Sequence, residues 1–181
     1  MTRFLLTGCS GGGKSTLIEA LANEGVVTVP EPGRRVIAAA EAADQTTDRD
    51  AVPWQNLTAF LRHALDMAHP DLVRTNTIDS PVIFDRGVLD AAVALRHHDG
   101  TSLNHSFRGA FPYTKTVFVA PDWPELFQND QGRRHSLQEA QAEYQRISAA
   151  LDQLGLEAIT LPKTSVADRL RFVMNIVKSR S

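Results

Sequence analysis

The sequence predicts a single α/β domain (residues 1–181) with a mostly parallel sheet, because short apolar runs alternate with helical patterns along the whole chain. Each run is apolar on successive residues rather than on alternate ones, which is typical of strands that helices cover on both faces. The five predicted strands are 3–7, 26–31, 81–85, 115–120 and 156–161. The predicted helices are 14–23, 34–43, 54–68, 87–97, 136–154 and 166–177.

The composition points to an ordinary globular domain. The chain has 181 residues, of which 43% are hydrophobic and 22% charged, and its formal net charge is −2. This charge argues against a dedicated nucleic-acid binder and against a polybasic membrane surface. No run of about 18 apolar residues is present, and the one cysteine, Cys9, excludes an intramolecular disulfide. We therefore expect a cytoplasmic protein without a membrane span. No heptad pattern indicates its oligomeric state.

Residues 8–15 read G-C-S-G-G-G-K-S and match the phosphate-binding loop G-x-x-x-x-G-K-[ST] between a strand and a helix. Glycines let backbone N–H groups turn toward an anion, Lys14 can reach the β- and γ-phosphates, and the Ser15 hydroxyl suits Mg²⁺. The motif predicts ATP and Mg²⁺ as cofactors; the alternative is a glycine-rich turn with an incidental lysine. The expected nucleotide contacts are Gly8, Cys9, Ser10, Gly11, Gly12, Gly13, Lys14, Ser15 and Thr16.

Two carboxylates are expected to end strands beside this loop, at the sheet edge where α/β proteins bind ligands. Asp85 ends the third apolar run and is predicted to hold Mg²⁺ or one of its waters; the alternative is a helix cap. Glu31 is expected to end the second strand and to accept a proton from an acceptor hydroxyl. The alternative for Glu31 is a surface position in a Pro-Gly turn.

Three more residues are expected to contact the substrate. Arg34 and Arg35 could clamp an anionic substrate, or pair with Glu31 and Asp85. Trp54 belongs to an apolar helical stripe and is expected in the core or in the wall of the substrate pocket.

A polar, glycine-containing loop precedes the long predicted helix 136–154 and carries Arg133 and Arg134. In a phosphoryl transferase, a lid at about 128–139 would bring such cations to the transition state. We expect residues 129–135 to be mobile without nucleotide and ordered with ATP. The alternative is a solvated charge pair at the start of a helix.

Further motifs resemble known families. V-P-E-P at residues 29–32 resembles the deoxynucleoside kinases, in which this glutamate is the proposed base toward the acceptor hydroxyl. The triplet D-R-G at 85–87 stands where those enzymes carry E-R-S, and it is closer to the D-R of thymidylate kinases. With R-R at 133–134 and L-G-x-x-x-x-x-L-P at 154–162, these motifs resemble a family of small bacterial predicted ATPases. That family is grouped with the kinase domain of ribosylnicotinamide kinases, and its members are called AAA domains.

The resemblance covers essentially the whole chain. It implies a three-layer P-loop NTPase fold of the nucleoside and nucleotide kinase type, with a five-stranded parallel sheet in the order 2-3-1-4-5. It also implies that both lid arginines belong to the lid and that residues 162–166 lie near adenine, so that Pro162 contacts the nucleotide. Arg86 and Asp90, in the motif D-R-G-x-x-D, are expected to bind substrate. Because Gly87 replaces the serine of E-R-S, the motif does not indicate a deoxynucleoside.

The function predicted from these residues is a Mg²⁺–ATP-dependent kinase of a small molecule with a hydroxyl group. One alternative is a regulatory ATPase that acts on a partner protein. Another, disfavoured by the charge, is a kinase of polynucleotide ends. A closed pocket lined by Glu31, Arg34, Arg35 and Trp54 would favour the metabolite kinase. A flat surface there would favour the regulatory ATPase, and an arginine-lined channel would favour nucleic acid.

Overall fold

A computed structural model describes residues 2–42, 52–126 and 136–180. These residues form a five-stranded sheet in which every pair of neighbours is parallel, in the order β2-β3-β1-β4-β5. The predicted fold class and strand order are therefore confirmed. The strands are β1 Arg3–Gly8, β2 Val27–Val29, β3 Val82–Asp85, β4 Thr116–Ala120 and β5 Glu157–Thr160.

Helices connect the strands and cover both faces of the sheet. They are α1 Lys14–Asn23, α2 Pro32–Ala42, α3 Leu57–Arg74, α4 Leu89–Asp99, α5 Leu103–Phe107, α6 Leu137–Gln153 and α7 Val166–Arg180. Within the described ranges, 3₁₀ turns lie at Thr75–Thr77 and Pro124–Leu126. No helix in the three described ranges is both long enough and apolar enough to traverse a bilayer.

The strands alternate side chains between two buried cores, which explains why they are apolar on successive residues. Leu5 and Phe84 face a core built with α3, α4 and α6, whereas Phe4, Leu6 and Ile83 face a second core built with α1 and α7. All five side chains are at most 1% exposed. The sheet is thus the middle layer of three.

One of the boundaries that differ from the predicted ones concerns the site. β2 ends at Val29, so Glu31 does not end the strand as predicted but lies in the connection to α2. Pro30 follows the strand directly, and a proline cannot donate a backbone hydrogen bond to a neighbouring strand. α5 was not predicted, because five residues are too few for a helical repeat to be recognised.

Candidate active site

The loop between β1 and α1 needs its glycines for close approach and for left-handed backbone. Gly8 has φ +106°, and a Cβ atom there would lie 2.3 Å from the carbonyl oxygen of Ala120 at the end of β4. A Cβ on Gly12 would lie 2.7 Å from the carbonyl oxygen of Pro121. The end of β4 therefore passes so close to the loop that larger residues do not fit.

Lys14 begins α1 and folds back over the loop. Its Nζ donates hydrogen bonds to the carbonyl oxygens of Gly8 (3.0 Å) and Cys9 (2.7 Å), and its side chain is buried. Burial, together with the nearby Arg86 guanidinium, lowers the Lys14 pKa to about 8. Both acceptors are neutral carbonyl groups, so these hydrogen bonds do not neutralise the Lys14 charge, which a phosphate in the loop could contact.

The first turn of α1 exposes two hydroxyl side chains, those of Ser15 and Thr16. The Thr16 hydroxyl donates to the carbonyl oxygen of Gly13 at 3.0 Å. Ser15 follows the lysine at the helix N-terminus, where the backbone N–H groups favour anions. This is the position from which a hydroxyl can bind a metal ion that accompanies a phosphate.

Asp85 ends β3 as predicted and is 4% exposed. Its Oδ1 atom is buried and has no hydrogen-bond partner within the described part of the chain. Burial raises the Asp85 pKa to about 7, and the neighbouring Glu31 carboxylate raises it as well. An orphaned carboxylate oxygen next to a phosphate-binding loop fits a site for Mg²⁺, with Ser15 as the second protein ligand.

Mg²⁺ would need other ligands besides these two. In the described ranges, no group of three or more His, Cys, Asp or Glu side chains could hold a metal. This agrees with a nucleotide-bound Mg²⁺, which keeps waters and phosphate oxygens as most of its ligands.

Arg86 follows Asp85 and joins three carboxylates from different elements. Its Nε lies 3.3 Å from Oε1 of Glu31, and its terminal nitrogen lies 2.6 Å from Asp90 and 3.1 Å from Glu143. The three carboxylates raise the Arg86 pKa, against the opposing effect of burial, so the guanidinium stays charged. Arg86 has φ +61°, a left-handed conformation that aims its side chain into this cluster.

Asp90, in the first turn of α4, is buried within the same cluster. It accepts a hydrogen bond from the Thr7 hydroxyl at 2.7 Å in addition to the contact with Arg86. Burial raises the Asp90 pKa to about 6. Asp90 was predicted to bind substrate, but its contacts are those of a residue that holds Arg86 in position.

The adjacent arginines of α2 point to different places. Arg34 Nε lies 3.3 Å from Glu31 Oε2, one of the two predicted arrangements. Arg35 instead contacts Asp71 of α3 at 2.5 Å and the carbonyl oxygen of Met67 at 3.4 Å. The structure does not bring Arg35 to the site, because consecutive residues of a helix point about 100° apart. Arg35 was predicted to bind substrate; in the structure it links α2 to α3 instead.

A cavity of about 510 Å³ opens beside the phosphate loop. Three of the four residues predicted to line the substrate pocket, Glu31, Arg34 and Trp54, line this cavity, together with Ser10 of the loop and Arg86. The described residues that line it besides these are Gly33, Ile37, Pro53, Leu57, Phe60, Leu61, Ala94, Glu139, Glu143 and Arg146. The predicted pocket is thus present without Arg35.

Sequence reasoning missed the charged face of α6. Glu139, Glu143 and Arg146 all line the cavity and follow each other at i, i+4 and i+7, so they lie on one face of the helix. That spacing is visible in the sequence, but charged residues on a helix are more often turned to solvent. Only the packing of α6 against the sheet turns this face to the cavity.

Arg169 of α7 was also missed. It is 2% exposed and donates hydrogen bonds to the carbonyl oxygens of Gly12 (3.4 Å) and Gly13 (3.1 Å) in the phosphate loop. Its guanidinium carbon lies 5.5 Å from the ring centre of Trp123.

Pro162, predicted to contact the nucleotide, lies between β5 and α7. It is half-buried, and its carbonyl oxygen accepts a hydrogen bond from the backbone of Thr164 at 3.0 Å.

The predicted lid falls mostly outside the described residues. Arg133 and Arg134, and the whole segment 129–135, belong to that part. Of the predicted range 128–139, residues 136–139 are the N-cap and first turn of α6. There the Ser136 hydroxyl accepts from the backbone of Glu139, and the Glu139 carboxylate accepts from the backbone of Ser136 at 2.7 Å.

Comparison with known proteins gives a family and a fold. A family model described as an AAA domain matches residues 3–169. No curated protein matches the sequence. Among solved structures, a deoxyadenosine kinase from M. mycoides with the products dCMP and a flexible dCDP bound has a TM-score of 0.64 and 14% sequence identity; the match covers 98% of this chain and 100% of that one. The same enzyme with bound dATP has a TM-score of 0.63, with equal identity and coverage.

Proposed function

Because the chain belongs to the AAA domain family and has a P-loop fold similar to that of a deoxyadenosine kinase, we propose that it transfers the terminal phosphate of Mg²⁺–ATP to a hydroxyl group of a small molecule. A family name and a fold do not define a reaction, so the proposal rests on the site.

The observation that carries the proposal is the cavity that joins the phosphate loop to Glu31. Ser10 of the loop and Glu31 both line the same space of about 510 Å³. A molecule in this space would have one group next to the phosphate loop and next to a carboxylate. That arrangement suits transfer to an enclosed acceptor better than an ATPase that reads a protein surface.

In the proposed mechanism, Lys14 supplies positive charge to the β- and γ-phosphates, and the N-terminus of α1 adds to it. Ser15 and Asp85 would hold Mg²⁺, which when bound neutralises charge on the same phosphate oxygens. Glu31 accepts the proton of the acceptor hydroxyl, and Arg86 keeps the Glu31 carboxylate turned toward the cavity. Arg133 and Arg134 of the predicted lid would contribute charge to the transition state.

The test is a screen of the full chain with Mg²⁺–ATP against a library of hydroxyl compounds, with ADP release measured above the rate without acceptor. Lys14→Ala should reduce transfer by about 100-fold or more. Lys115→Ala is the matched control, because Lys115 is an exposed lysine at the start of β4, and it should retain the full rate.

A second variant tests the proposed base. Glu31→Gln keeps the shape of the side chain but cannot accept a proton, and should lower the transfer rate by about 10²–10⁴-fold with little change in ATP affinity. ADP release that needs no acceptor and is equal in Glu31→Gln and the unsubstituted protein would contradict the kinase. It would support the regulatory ATPase instead.

A further inference from the structure

Arg146 is a half-buried arginine in the wall of the cavity. Among the described residues it has no hydrogen-bond or ion-pair partner. A guanidinium group without a protein partner keeps its N–H donors available for an oxyanion. A cation that faces a cavity without a protein partner is therefore ready for an anion from outside the chain.

The other charged groups of the cavity wall are already occupied. Arg86 contacts the carboxylates of Glu31 and Glu143, and Arg34 contacts Glu31. The Glu139 carboxylate accepts hydrogen bonds from the backbone and hydroxyl of Ser136. Among the charged side chains of the described cavity wall, Arg146 is thus the one without a hydrogen bond or ion pair to another described residue.

Arg146 lies one helical turn away from the Arg86 cluster. Glu143 contacts Arg86, and Arg146 follows it on α6 after three residues, about 4.5 Å along the axis. On α4, Asp90 contacts Arg86 and Ala94 follows it one turn later. Ala94 and Arg146 both line the cavity, each one turn along its helix from a residue that contacts Arg86.

The opposite wall is apolar. Ile37 of α2 and Leu57, Phe60 and Leu61 of α3 line the cavity, with Trp54 beside them. An occupant would therefore contact an apolar surface with its body and a guanidinium with one end. Its hydroxyl group would lie near Glu31, which lines the cavity together with Ser10 of the phosphate loop.

We propose that Arg146 binds an anionic group, a phosphate monoester or a carboxylate, of the small molecule that occupies the cavity. This inference rests on the proposed function, because it takes the cavity to be the acceptor site. The planar guanidinium donates two parallel hydrogen bonds to either oxyanion. The acceptor class is thus an anionic hydroxyl compound, such as a sugar phosphate or a hydroxy acid, rather than a neutral nucleoside.

The binding test uses the full chain with its phosphate loop filled by Mg²⁺–ADP, titrated with ribose 5-phosphate, gluconate and ribose. At least one of the two anions should bind, ribose should bind far more weakly, and the better anion identifies the phosphate or the carboxylate class. Arg146→Gln should weaken the binding of that anion by about 10- to 100-fold, and Arg146→Lys should restore part of it. Arg62→Gln is the matched control, because Arg62 is an exposed arginine of α3 that contacts Asp99.

The kinetic test uses the acceptor found by the screen. That acceptor should be an anion, and Arg146→Gln should raise its KM by at least about tenfold with little change in kcat, since the charge is bound equally in the ground and transition states. A neutral acceptor, or anions that bind equally to Arg146→Gln and to the unsubstituted protein, would overturn the inference. If no compound is phosphorylated but anion binding depends on Arg146, the proposed kinase fails while the anion site stands.

Discussion

The Nε atom of Arg86 lies 3.3 Å from Oε1 of Glu31, although the two residues come from different strand–helix connections. The same guanidinium contacts Asp90 of α4 and Glu143 of α6. One buried cation thus fixes the relative positions of the proposed base and of two helices that border the cavity. Its removal would leave the buried Asp90 carboxylate without its counter-charge.

Arg86→Met should therefore destabilise the protein by about 3–5 kcal/mol, measured as the free energy of unfolding in urea. Adding Asp90→Asn should recover part of this loss, because it removes one of the unbalanced carboxylates. A loss below about 1 kcal/mol in Arg86→Met, or no recovery in the double variant, would contradict the role of Arg86 as the shared counter-charge.

The pKa of Asp85, raised to about 7, makes stability depend on pH. An unfolded aspartate has a pKa near 3.8, so between about pH 4 and 7 the folded protein binds more protons than the unfolded one. The free energy of unfolding should therefore fall as the pH rises through this window. The Asp85 pKa is also affected by the charges of its neighbours Glu31, Lys14, Arg86 and Asp90. Asp90, with a pKa raised to about 6, contributes a decline of the same sign.

Asp85→Asn should remove most of this pH dependence, because an amide does not titrate. Urea unfolding without Mg²⁺ and nucleotide, compared at pH 5 and pH 8, should show a fall in the free energy of unfolding that is about 2 kcal/mol smaller in the variant than in the unsubstituted protein. The quantity compared is the change in the free energy of unfolding between the two pH values. A destabilisation by the buried amide that is equal at both pH values therefore does not affect it. Equal changes in the variant and the unsubstituted protein would mean that Asp85 ionises normally in the folded protein.

Much of the site follows from the sequence because it depends on local geometry. The glycines, Lys14 and Ser15 occupy a continuous segment whose backbone the motif defines, and Asp85 ends a strand that its apolar run already predicts. Glu31 reaches the cavity although β2 ends two residues earlier than predicted, because the turn before α2 remains at the same sheet edge.

The rest of the site depends on how helices rotate against the sheet. No local feature of the sequence distinguishes Arg34 from Arg35. Arg34 contacts Glu31 and Arg35 contacts Asp71 because of how α2 packs on α3. Arg146 likewise lies on an ordinary charged face until α6 is placed beside α4. Such placements depend on how helices that are far apart in the chain pack together, and a single sequence carries no signal for that packing.

Gly8 should be far less replaceable than a glycine in an open turn. A Cβ on Gly8 would lie 2.3 Å from the oxygen and 2.6 Å from the nitrogen of Ala120, both backbone atoms that cannot move aside. Gly25 also has a positive φ, +81°, but a Cβ there would meet nothing within 4 Å. Gly25→Ala should therefore cost about 1–2 kcal/mol of stability through backbone strain alone. Gly8→Ala should cost at least about 3 kcal/mol or prevent folding. Similar unfolding midpoints in urea for the two variants would contradict the close approach of β4.

Arg169 joins the final helix, α7, to the phosphate loop, across more than 150 residues of chain. Its guanidinium donates to the carbonyl oxygens of Gly12 and Gly13, and Gly13 is the left-handed residue directly before α1. Arg169→Met keeps an unbranched side chain against Trp123 but removes these hydrogen bonds. Because the loop must present its N–H groups in one conformation to bind phosphate, the Kd for Mg²⁺–ATP should rise by about tenfold, measured by calorimetry. Arg171→Met is the matched control: Arg171 lies on the same helix, is exposed and contacts Asp168, so its loss should leave ATP binding unchanged. If Arg169→Met lowered the unfolding midpoint but bound Mg²⁺–ATP as tightly as the control, Arg169 would anchor α7 without shaping the loop.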